Sequence, residues 1–61
     1  MTREEKLAYH LEMVIWEDQP EGATFGTVAI KRMMAAATPE QRQRAYQMAL
    51  THSPMLLEDE R

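Results

Sequence analysis

The sequence predicts an all-α fold, a small three-helix domain completed by dimerisation. Three observations predict it. Two stretches open with helix-capping signatures, Thr2-x-x-Glu5 and Thr38-Pro39-Glu40-Gln41. Apolar residues recur three and four positions apart in the segments between the prolines. The chain has 61 residues and no cysteine, and a domain of that size buries only about 60% of the surface its unfolded chain exposes. Chains this small usually need a disulfide, a metal or a second subunit. Disulfides are excluded. A structural zinc site is not expected either, because the only imidazoles, His10 and His52, stand far apart in sequence with no thiolate to join them. A second subunit is the remaining aid.

The first helix is expected over about residues 2–18. Thr2 and Glu5 can each satisfy a backbone donor of the other. Glu4 and Glu5 suit the positive end of the helix dipole. Leu7, Ala8, Leu11, Val14 and Ile15 cover an arc of about 120° and form its core face. Gln19 precedes Pro20, a position that disfavours helical geometry, and Pro20-Glu21-Gly22 reads as a turn.

The second helix is expected over about 25–37, capped by Thr24 or Thr27 and weakened in its first turn by Gly26. The β-branched Thr24, Thr27, Val28 and Ile30 also suit a short strand. Phe25, Ala29, Met33 and Ala36 recur at helical spacing and favour the helix. The third helix, about 39–52, begins with Thr38 as N-cap and Pro39 in the first helical position. Its apolar side is Ala45, Tyr46, Met48, Ala49 and Leu50; Gln43, Arg44, Gln47 and Thr51 form the wet side. Ser53-Pro54 is expected to end it. In the tail of residues 53–61, Met55, Leu56 and Leu57 are expected to fold back over the core.

One feature of the first helix exceeds the needs of a simple core. Tyr9, Met13 and Trp16 are spaced i, i+4, i+7 and form a second apolar stripe roughly opposite Leu7, Leu11 and Val14. A chain this small covers both stripes only with difficulty. Tyr, Trp and Met are enriched at interface centres, so Tyr9, Met13 and Trp16 are the expected protein interface. The bland alternative is that the third helix and the tail cover one stripe each. The five methionines beyond the first suit adaptable binding surfaces, although core filling is their commoner use.

Charge is unevenly placed. The net charge is −3, with −4 over residues 1–30, +3 over 31–44 and −2 over 45–61. A weakly acidic total argues against general nucleic-acid binding. The basic middle keeps one localised reading open, a helix-turn-helix-like DNA-binding regulator contacting nucleic acid through Lys31, Arg32, Gln41, Arg42 and Arg44. Gln and Arg near a helix start can read adenine and guanine in the major groove. The connection before Thr38 is almost nil, however, and lacks the usual glycine. The competing reading pairs these charges within or between subunits.

Nothing in the sequence assembles catalytic chemistry. His10 and Glu12 do not face each other on a helix, and His52 suits the negative end of its helix dipole. The lone serine, Ser53, has no base near it in any local motif. Glycine occurs only at positions 22 and 26, so no phosphate-cradling loop forms. Glu17, Asp18 and Glu21 lack the spacing of a calcium loop. The expectation is therefore a non-enzymatic chain with no cofactor, metal or small-molecule substrate. No signal peptide or membrane span is read, and the location expected is the cytoplasm. The function expected is a small helical interaction protein, a dimeric regulator or inhibitor that docks on another protein. Its size and composition suit bacterial or phage-type modulators.

Overall fold

The computed structural model describes residues 2–52. Among them the chain is all-helical, with three helices and no strand. α1 spans Arg3–Glu17, α2 spans Thr27–Ala35 and α3 spans Pro39–His52. The expectations for residues 53–61, a stop at Ser53-Pro54 and a fold-back of Met55–Leu57, lie outside the described residues. No helix among the described residues is long and apolar enough to cross a membrane.

α1 starts on the capping box that its sequence specifies. The Thr2 hydroxyl accepts from the Glu5 N–H at 3.1 Å, and the Thr2 N–H donates to Glu5 Oε1 at 3.2 Å. That backbone N–H, with the Thr2 side chain, holds the Glu5 carboxyl below its ordinary range. At the other end Asp18 is the C-cap, and the Gln19 side chain donates to the Ile15 carbonyl at 3.1 Å. The chain then reverses through Pro20–Ala23, where the Ala23 N–H donates to the Pro20 carbonyl. Gly22 has φ +84°, the left-handed conformation that this turn position requires and that glycine adopts without steric cost.

α2 departs from expectation. It starts two residues later than the periodicity suggested and ends two residues earlier. Its N-cap is Gly26, with no side-chain cap bond, and neither Thr24 nor Thr27 fills that role. The physical reason is that Gly26 sits in extended backbone (φ −74°, ψ 169°) just before the helix, where its cost is small, and not inside the first turn, where it is larger. Phe25 is thereby left outside the helix. The expected Phe25–Ala29–Met33–Ala36 face is replaced by one centred on buried Ile30, with Ala29, Met33 and Met34 half-buried and Ala36 exposed.

α3 starts as its sequence specifies. The Thr38 hydroxyl accepts from the Gln41 N–H at 3.1 Å, and the Thr38 N–H donates to Gln41 Oε1 at 3.0 Å. Because α2 ends at Ala35, the α2–α3 connection is Ala36–Thr38, a short glycine-free corner longer than expected. α3 returns antiparallel along α1. Its start lies beside Asp18, and its His52 end lies beside His10.

The core is the seam between α1 and α3. Leu11 and Val14 pack with Ala45, and Met34, Ala37 and Met48 close around them. Ile15, Ile30 and Ala49 are also buried, and Val14 is fully enclosed. Ala45 and Ala49 stand four apart on one face of α3, and their small side chains let the helices approach closely. The predicted core faces run wider than the seam: Ala8 and Tyr46 are exposed, and Leu7 and Leu50 are only half-buried.

The histidines require a correction. Far apart in sequence, His10 and His52 are brought together by the antiparallel pairing, with ring centroids 5.4 Å apart and ring planes within 11°. The sequence spacing concealed this because a 42-position separation closes only through the tertiary fold.

Candidate interaction surface

The second stripe of α1 lies on the side of the helix that borders the His10–His52 end of the α1–α3 seam. Tyr9 is 53% exposed and Met13 is 37% exposed. The Lys6 ammonium lies 5.6 Å from the Tyr9 ring centroid, and the His10 ring meets Tyr9 edge-on at 5.2 Å. Lys6 and His10 thus flank the Tyr9 ring, about half of whose residue surface is exposed. Trp16 is covered within the chain: Phe25 tilts against it at 5.5 Å between centroids. That contact follows from Gly26. With the helix starting one residue after it, Phe25 belongs to the extended approach and folds back onto α1.

Two open depressions flank the stripe. One, of about 350 Å³, is bordered by Lys6, Tyr9, His10, Met13 and His52. The other, of about 180 Å³, lies around Trp16, Phe25 and Ile30. On a different side of the molecule, Leu7, Ala8 and Leu11 of α1 face Ala45 and Tyr46 of α3 across a shallow groove of about 380 Å³. Val28, 64% exposed, adds an isolated apolar spot on α2.

The basic segment is largely occupied by contacts within the chain. Arg44 Nη1 donates to both Asp18 carboxylate oxygens at 2.9 and 3.0 Å, and its Nη2 reaches Glu17 Oε2 at 3.1 Å. Gln41 Nε2 donates to Asp18 Oδ2 at 2.9 Å. These bonds, the one from Gln41 foremost, hold the Asp18 carboxyl below its ordinary range, and Asp18 in turn raises Arg44. α1 has no basic residue in its last turn, and its end carries Glu17 and Asp18 where the helix dipole disfavours anions. Arg44 supplies the missing cation from α3. At the end of α2, which has Arg32 in its own last turn, Arg42 adds bonds to the Met34 and Ala35 carbonyls at 3.3 Å each. Lys31 and Arg32 remain exposed on α2. Thus the side chains of Gln41, Arg42 and Arg44 reach helix ends, while Lys31 and Arg32, the latter in the last turn of α2, are exposed.

Among the described residues, no group of three or more His, Asp or Glu side chains is placed to hold a metal ion. The sequence reading missed two features, Phe25 as a lid on Trp16 and His10 as a buried group. For His10 a signal existed. It lies four residues before Val14 and three after Leu7, at the flank of the core stripe. Phe25 gave none, since its role depends on where α2 begins.

The chain matches no protein-family model, no curated relative and no solved structure.

Proposed function

We propose that the chain is a small helical interaction protein that self-associates through the Tyr9–Met13 side of α1 and, as a dimer, regulates or inhibits another protein by docking on it. The observation that carries this reading is the exposed Tyr9–Met13 stripe beside a very thin core. Only Val14 is fully enclosed among the larger side chains described, while an aromatic ring and a thioether lie in water on the neighbouring face. A chain this size has little burial to spare, and a second copy laid against that face adds what the α1–α3 seam lacks. Trp16, already leaning on Phe25, stands at the rim of this contact.

The alternative, a helix-turn-helix-like DNA-binding regulator, draws on Lys31, Arg32, Gln41, Arg42 and Arg44. It has less support, because three of those five side chains are tied to helix ends or to Asp18 and only Lys31 and Arg32 stand free of such bonds among the described residues.

Sedimentation across a concentration series tests the proposal. The wild-type chain is expected to show dimer mass, and Tyr9→Ala to weaken association at least tenfold, the effect of removing an interface aromatic. A monomer at every concentration would end the dimer reading. Tight retention of duplex DNA at physiological salt would promote the alternative.

A further inference from the structure

His10 is the buried polar side chain of the described core, 3% exposed. Neither ring nitrogen has a hydrogen-bond partner among the described residues. A hidden imidazole with no partner already forgoes its hydrogen bonds to water. An imidazolium in the same place would forgo far more, since both ring N–H groups would be donors with nothing to receive them. The groups around the ring make this worse. The titratable side chains that share the depression beside it are Lys6 and Tyr9 from α1 and His52 from α3; among the described residues, α2 contributes none to that lining and no carboxylate lines it. A proton on His10 therefore meets the Lys6 ammonium, and no carboxylate among the described residues lines the depression to offset it.

We propose that the His10–His52 stack is an acid-opened latch: the neutral rings hold the middle of α1 against the end of α3, and protonation of His10 parts the two helices there. The geometry supplies each component. The rings stack across the two helices at 5.4 Å. The depression beside them gives water a route once the stack loosens. Tyr9 and Met13 border the same depression, so opening the latch disturbs the edge of the face described above. The latch itself stands whether or not that face binds a partner.

The direction with pH follows from where the proton prefers to be. Burial, then Lys6 and His52, lower His10 below its ordinary value of 6.5. The unfolded or opened chain then binds the proton more readily than the closed one. Stability is complete above about 6.5 and falls as pH drops below it, with the closed-to-open ratio losing at most about tenfold per pH unit for one proton. This window lies above that of Glu5 and Asp18, whose carboxyls are lowered from 4.5 and 3.8.

The test follows the full chain from pH 7.5 to pH 5 by thermal unfolding and by histidine proton NMR. The wild type should lose midpoint temperature across this range, with His10 titrating below its ordinary value. His10→Leu, which fills the same apolar site without a titrating group, should show a flat midpoint. His52→Gln should keep an acid response of reduced size, because burial and Lys6 still act on His10. A wild-type midpoint that does not change with pH, or a His10 that titrates at or above 6.5, would overturn the latch. So would an acid loss that persists undiminished in His10→Leu. The NMR arm reads the wild type alone and decides the matter even if a variant does not fold.

Discussion

Val14→Ala tests the placement of the core most directly. Val14 is fully enclosed where α1 meets Ala45. Truncation removes two carbons worth about 0.8 kcal/mol each by transfer, and the cavity left behind adds to that, for a total of about 2–3 kcal/mol. Domains hold roughly 0.05–0.15 kcal/mol of stability per residue, so a chain this short has about 3–9 kcal/mol in all. One methyl pair therefore controls a large share of it. At about 4–8 °C per kcal/mol in a domain of this size, the melting midpoint should fall by roughly 10–20 °C. Met13→Ala is the control. It is 37% exposed, about 100° around α1 from Val14, and at low protein concentration its effect should be well below that of Val14→Ala. Thermal unfolding monitored by far-ultraviolet dichroism at two concentrations measures both. A shift of only a few degrees for Val14→Ala would refute the α1–α3 seam as the core. An equal loss for Met13→Ala that disappears on dilution would place Met13 in a subunit contact, because association contributes to the apparent stability by mass action.

The two glycines should respond in opposite directions. Gly22→Ala places a side chain at φ +84° with nothing within 4 Å of its new carbon, so its cost of about 1–2 kcal/mol is backbone strain alone, read as a lower midpoint. Gly26→Ser meets equally open space in extended backbone, and its hydroxyl can cap α2, so stability should rise by about 0.5 kcal/mol. Arg44→Ala should lower stability at low salt by an amount that shrinks as salt is added, since the pairs it removes are solvent-exposed. In the wild type the Asp18 contribution is present above its ordinary value of 3.8 and lost as pH falls through its lowered folded value; in Arg44→Ala that acid loss should be smaller.

Local chemistry was legible in the sequence, and long-range geometry was not. The starts of α1 and α3 could be read because a capping box is closed within four residues: Thr2 needs only Glu5, and Thr38 needs only Gln41. α2 could not be placed as well. Its start depends on whether a glycine serves as cap or as first turn, and its end depends on Arg42, eight positions beyond Met34. The apolar periodicity that suggested Phe25, Ala29, Met33 and Ala36 was real as a pattern. The helix instead buries Ile30 and keeps Ala29 and Met33 half-buried.

The basic middle segment shows the same division. In sequence, a net +3 between two acidic stretches invites a reading in terms of an external anion. In the fold, Arg44 meets its anions within the chain, while Lys31 and Arg32 remain exposed. α1 ends in Glu17 and Asp18 without a cation, an arrangement unfavourable for an isolated helix. That end becomes favourable once α3 lies antiparallel and brings Gln41 and Arg44 to it from 23 and 26 positions away. The opposite end of the same helix pair carries two imidazoles and an ammonium, with no carboxylate lining their shared depression among the described residues. One end of the α1–α3 seam is therefore strengthened by ionised side chains, and the other is stable only while His10 is neutral.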